Sequence, residues 1–154
     1  MAGKTPEEDR KMHPALTAPL AVAIALPALS LLTGRGALAP VNASAHWLWP
    51  EAGRDGFDPR ETPVGLATNL AAAAMWGGVM ALALRRTQAP VLTAAGVAAG
   101  AALLDYGLLP RRMSPGWEKA LPVGAVAAGF AALAVGMLAG TVEERAEPRF
   151  PVYG

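Results

Sequence analysis

Four stretches of this 154-residue chain carry no charged side chain: 14–34, 62–84, 87–104 and 120–142. They hold 21, 23, 18 and 23 residues, and none keeps the polar face that a soluble helix shows. A hydrocarbon core of roughly 30 Å is crossed by about 20 mostly apolar helical residues. The pattern therefore predicts an all-α, polytopic membrane protein with transmembrane helices over about 14–34, 63–84, 90–109 and 120–142. These form one membrane domain, 14–142, between polar tails at 1–13 and 143–154.

Local punctuation refines the spans. Pro27 lies inside the first, where it removes a backbone donor and predicts a kink. Ala37-Leu38-Ala39 has the form of a signal-peptide cleavage site, but Pro40 opposes cleavage and the apolar run exceeds the usual core of about 7–15 residues. The first span is expected to be retained. The connection 35–61 is the longest, and Trp47 and Trp49 place Ala43–Trp49 as a short turn or helix at the membrane surface. Thr62-Pro63 and Ser114-Pro115 each read as an N-cap followed by proline at the first helical position. Few residues part the second span from the third, which predicts a tight helical hairpin.

Small residues recur at packing intervals. Gly124, Ala128, Ala132, Gly136 and Gly140 follow one another every four positions, and Gly96 and Gly100 form a GxxxG pair. Gly65, Ala73 and Gly77 repeat the theme in the second span, with Asn69 between them. Such residues let helix backbones approach closely, so the expectation is a small-residue-packed four-helix bundle, continuing into a homo-oligomer or a membrane complex.

Composition narrows the classes. A net charge of +1 gathers no nucleic acid. With no cysteine and only His13 and His46, neither thiolate nor histidine-built metal sites are available, and no metal or cofactor is expected. Alanine contributes 35 residues and arginine outnumbers lysine ten to three, a bias of GC-rich bacterial genomes. Seven basic residues on the side of the termini against six opposite favour cytoplasmic termini by a single charge.

Candidate chemistry is sparse. Asp105 is the one acid inside an apolar span, four residues before Leu109. Intramembrane carboxylates mark proton or ion pathways. At about 6 Å from the span's end, however, Asp105 is expected to pair with Arg111 or Arg112 as an interfacial anchor. The loop from Arg111 to Lys119 reads as a second anchor, with Glu118 neutralising an arginine and Trp117 seating the helix; lipid phosphate on the arginines is the alternative. His46 reads as a surface polar residue able to titrate near neutrality. Asn69 is expected to hydrogen-bond across helices. No paired carboxylates inside a span, serine–histidine pair or phosphate-cradling loop stands out.

Two strings, Pro40-Val-Asn-Ala-Ser-Ala-His-Trp-Leu-Trp49 and Asp105-Tyr-Gly-Leu-Leu-Pro-Arg-Arg-Met-Ser-Pro-Gly-Trp-Glu118, resemble an uncharacterised group of small four-helix bacterial inner-membrane proteins. The resemblance covers the chain from Pro40 onward and implies membrane topology without an activity. That group's second span carries histidine where this chain has Thr68-Asn69, which argues against a metal or proton role there. The expected function is that of a non-enzymatic integral inner-membrane protein, an accessory or structural component. The alternative is a small homodimeric transporter using Asp105 as a proton- or ion-coupled carboxylate. A membrane enzyme ranks third, because acid/base pairs are missing.

Overall fold

The structure, a computed structural model, describes residues 13–145. The polar tails fall almost wholly outside that range. Among the described residues the chain is all-helical: α1 (Pro14–Leu32), a short α2 (Ala39–Ala43), α3 (Glu61–Ala83), α4 (Pro90–Leu103) and α5 (Val123–Arg145). A π-helical turn, Leu104–Leu108, extends α4, and single 3-10 turns lie at Arg111–Met113 and Trp117–Lys119. Four helices are long and apolar enough to cross a bilayer, within Pro14–Leu32, Glu61–Ala83, Pro90–Leu108 and Val123–Thr141. Helices suit this setting because every mid-span backbone group finds its partner within its own segment.

Side-chain exposure is inverted relative to a soluble bundle. Ile24 is 72% exposed, Leu92 74% and Val135 65%, so large aliphatic residues point outward on the membrane helices. Toward the centre lie small or slender ones: Ala18, Val22 and Leu26 of α1, Ala73 of α3, Ala94, Ala98 and Ala101 of α4, and Leu133 and Met137 of α5. This is a multi-pass membrane protein.

Helix α1 is the hub, packing most extensively on α5 and α3, while α4 leans mainly on α5 and touches α3 less. His13 caps α1, its Nδ1 accepting from the Ala15 N–H at 3.1 Å, and the helix runs uninterrupted through Pro19 and Pro27. Glycine makes the hub possible. A Cβ on Gly136 would stand 2.5 Å from Ala21 Cβ and 2.9 Å from Ala18 Cα, and one on Gly140 would stand 2.6 Å from the Pro14 nitrogen. A Cβ on Gly77 would strike the Pro14 carbonyl.

The other glycine expectations need correction. Gly124 is exposed with nothing near its Cβ position, and Ala128 and Ala132 are only half-buried. A step of four residues overshoots the helical turn by about 40°, so the ladder winds off the contact before reaching Gly124. The buried face of α5 instead runs through Ala125, Gly129, Leu133, Gly136 and Gly140. Gly96 and Gly100 likewise face outward on α4, and the inward positions are Ala94, Ala98 and Ala101.

Two helix starts also move. Helix α3 begins before Thr62, and α5 begins at Val123 behind Pro122, not at Ser114-Pro115. The carbonyl of Pro122 accepts from the N–H groups of Ala125 and Val126.

Candidate functional site

The connections 33–60 and 109–122 emerge at the same end of the bundle and fold over it as a cap. Asp58 organises its base. Its Oδ1 accepts from the N–H groups of Arg60 (2.8 Å) and Glu61 (2.9 Å), capping α3 where donors have no intrahelical partner. Those two backbone donors, helped by the Arg54 guanidinium, hold the Asp58 carboxyl below its usual range. Glu61 is buried and accepts from the Gly53 and Arg54 N–H groups at 3.0 and 3.2 Å. At the rim, the Arg35 Nε–Asp55 Oδ1 pair at 2.8 Å closes the loop and lowers the Asp55 pKa.

Segment 39–46 is buried, so of the surface turn or helix expected over Ala43–Trp49 only the stretch from Trp47 to Trp49 reaches the surface. The polar groups of segment 39–46 explain its burial. Asn42 donates to the carbonyls of Arg54 and Gly56, both at 2.7 Å, and accepts from the Thr62 hydroxyl at 2.6 Å. Thr62 is thus a cross-link within α3 rather than its cap. Gly65 leaves space for the Val41 carbonyl, which a Cβ would strike. His46, taken as a surface residue, is 5% exposed. Its Nδ1 faces the Ala43 carbonyl at 2.9 Å and its Nε2 the Arg111 carbonyl at 3.1 Å, so it ties the two halves of the cap. A neutral ring donates to only one of them. Gly116, at φ +79°, lies so close that a Cβ there would be 2.5 Å from His46 Nδ1.

Asn69, about 12 Å along α3 from its first residue, meets this cap from within. Its Nδ2 donates to Ser44 Oγ and to the Gly65 carbonyl, both at 2.9 Å, and its Oδ1 accepts from Trp117 Nε1 at 3.0 Å. The expected cross-helix bond is there, made to the cap segments. Trp117, expected as an interfacial anchor, is 5% exposed and packs on Phe130 with ring centroids 5.1 Å apart.

Beneath the cap lies a chamber of about 300 Å³. Trp47, Trp76, Trp117 and Phe130 supply aromatic walls, with Val22 and Leu133 below. Asn69 and Thr68 line it from α3 and Asp105 from the π turn; Asp105 is its one ionisable lining residue. A second recess of about 520 Å³ lies outside, bounded by Tyr106, Arg111, Glu118 and Lys119. Asp105 and Ser114 line both spaces. The carboxylate therefore stands where an aromatic chamber meets a polar vestibule.

The arginine anchor is not formed. Among the described residues Asp105 has no hydrogen bond and no ion pair, with Arg111, Arg112 or any other group. The chain leaves the π turn extended through Leu109 and Pro110, at ψ 149° and 142°, and carries both arginines outward to exposed positions. Glu118 does not neutralise an arginine either; it accepts from the Ser114 hydroxyl at 2.8 Å and the Tyr106 hydroxyl at 3.0 Å. The Leu109 N–H bonds the Leu104 carbonyl five residues back, a widened turn of the kind frequent at functional sites.

The structure thus brings Asn69 and Asp105 to the lining of one chamber, links His46 to the backbone of Arg111, and leaves Arg112, Gly96, Gly100 and Gly124 apart from the site. Ser44, Trp76 and Phe130 are missed, since nothing local marks them, and Ser114 reads from the sequence as a helix cap rather than as a lining residue. Asp58-Pro59-Arg60-Glu61 did carry a signal: an N-cap acid followed three residues later by glutamate. No group of three metal-ligating side chains occurs among the described residues. No protein-family model, curated protein or solved structure matches the chain.

Proposed function

We propose that this is a non-enzymatic integral protein of the bacterial inner membrane that holds a small apolar or amphiphilic molecule in the chamber under its cap, acting as an accessory binding component. The observation that carries the reading is the chamber itself. It is walled by α1, α3, α5, the π turn and both cap segments, and it matches the lower end of small-molecule pockets in size and apolar lining. One ionisable side chain, Asp105, lines this space, with no second titratable lining group to work with it as acid and base. With both termini cytoplasmic, the cap and chamber face the periplasm.

Bromobenzene, a neutral quencher of indole fluorescence, tests this in protein reconstituted into nanodiscs. Collision in the lipid quenches in linear proportion to concentration, whereas occupancy of a chamber lined by Trp47, Trp76 and Trp117 adds a saturable component. That component is expected in the wild type and lost in Ala72→Phe, which fills the space. Purely linear quenching of the wild type overturns the reading.

A second reading, a small homodimeric transporter coupled through Asp105, draws on the position of that carboxylate between chamber and vestibule. The outward Gly96–Gly100 pair offers the flat helix surface that a second copy would meet.

A further inference from the structure

We infer that the chamber takes a small organic monocation: an alkylated ammonium carried on an apolar body of about one aromatic ring. The inference rests on the chamber being a binding site and names the class of its occupant.

Charge comes first. Asp105 is the chamber's one ionisable lining residue and has no ion-pair or hydrogen-bond partner among the described residues. A carboxylate in an apolar surround is costly until a positive group meets it. Among the described residues no cation lines the chamber. Arg111 and Lys119 border the vestibule rather than the chamber, and Lys119 Nζ donates to the Pro50 carbonyl at 2.5 Å. Arg35 and Arg54 pair with Asp55 and Asp58 at the far rim of the cap. An anionic guest would meet Asp105 with no lining cation to compensate.

The walls specify the rest. Trp47, half-exposed at the mouth, and Trp76, Trp117 and Phe130 line the space, and the π faces of such rings attract cations with a diffuse, weakly hydrated charge. The Trp117 N–H is spent on Asn69, so that residue offers the guest its ring. An inorganic ion fits poorly: calcium seeks 6–8 oxygen ligands and magnesium a near-ideal octahedron, and a single carboxylate in an aromatic chamber supplies neither. An alkylated ammonium keeps little of its hydration and gains from both features. At about 300 Å³ the space suits one ring with one such head. Asp105 at the junction then receives the head, and the apolar body lies inward over Val22, Phe130 and Leu133.

Benzyltrimethylammonium and benzylsulfonate share a ring and carry opposite charges, so their competition against the saturable bromobenzene signal isolates charge. Benzyltrimethylammonium is expected to displace bromobenzene from the wild type, benzylsulfonate at least tenfold more weakly. Asp105→Asn, in samples that retain saturable bromobenzene quenching, should weaken displacement by the cation at least tenfold. Equal displacement by both ions, or unchanged displacement in Asp105→Asn, overturns the cation assignment and leaves the chamber standing. Absence of saturable bromobenzene quenching in the wild type overturns the chamber itself. Should Asp105→Asn fail to fold, the cation-to-anion ratio in the wild type still decides.

Discussion

Asn69 and Asp105 line the same chamber, one from α3 and the other from the π turn, and they are held in opposite ways. The Asn69 amide is fully engaged, with Ser44 and the Gly65 carbonyl on its nitrogen and Trp117 on its oxygen. Asp105, the ionisable one of the two, has no such partner among the described residues and lies on a widened turn. In sequence the two look alike, each a polar residue in an apolar span. Their partners separate them: the α3 wall is a structural joint that pins the cap to the bundle, and the π-turn wall presents a group whose requirements something else must meet. A buried polar residue speaks for function when its bonds are left open, not when it is merely polar.

The largest effect is expected where the frame under both walls is removed. Gly136→Leu would drive a large side chain into Ala18, Ala21 and the Thr17 carbonyl, where even a Cβ lacks room. Helix α5 would then part from α1, and the chamber floor at Val22 and Leu133 with it. Overpacking a close contact of this kind costs about 3 kcal/mol. Thermal unfolding in detergent should show a large drop for Gly136→Leu and almost none for Gly100→Leu, whose Cβ position is open. Equal drops would mean that α5 and α4 are packed alike.

A milder disruption reaches one wall only. Asn69→Leu keeps the side chain's bulk but strands the Trp117 N–H under the cap and removes the bond that Ser44 Oγ accepts, while the Ser44 hydroxyl still donates to the Pro40 carbonyl. Leaving buried groups unpaired costs about 1–3 kcal/mol each, and membrane hydrogen bonds measured by double-mutant cycles average near the lower figure, so a loss of about 2 kcal/mol is expected. Trp117→Phe should recover part of it in the double variant, because the stranded donor is then gone. Strict additivity would deny the bond.

The spans were legible because their signal is local. A charge-free run marks a helix in lipid whatever it packs against, and Pro90–Leu108 and the expected 90–109 differ by one residue. The cap was not legible because its order comes from distant pairs. Asn42 meets Thr62, Ser44 meets Asn69, and His46 meets Arg111 sixty-five residues away. Read alone, His46 between two tryptophans is a surface residue; only the Arg111 carbonyl makes it a buried tie. Gly136 and Gly124 share one ladder in sequence, yet helical drift puts the first against α1 and the second outside. Asp105 stands out in the sequence as the one acid in a span, but its nearness to Arg111 and Arg112 suggests a pair that is not formed, because the chain leaves the π turn extended through Pro110.

The mildest change is expected at Asp105 itself. Asp105→Asn removes a charge and keeps the shape of the side chain. If Asp105 were the interfacial anchor first expected, losing an ion pair with Arg111 or Arg112 would lower stability. As the structure has it, the substitution breaks no hydrogen bond and no ion pair, and it relieves the cost of a carboxylate beside aromatic walls. Unfolding should therefore shift by less than about 0.5 kcal/mol, the range of substitutions that disturb no partner, or move toward greater stability. Chemical denaturation in mild detergent reads this directly, with Asn69→Leu as the destabilised reference. A loss for Asp105→Asn as large as that of Asn69→Leu would place both residues in the structural joint and leave the chamber without its open group.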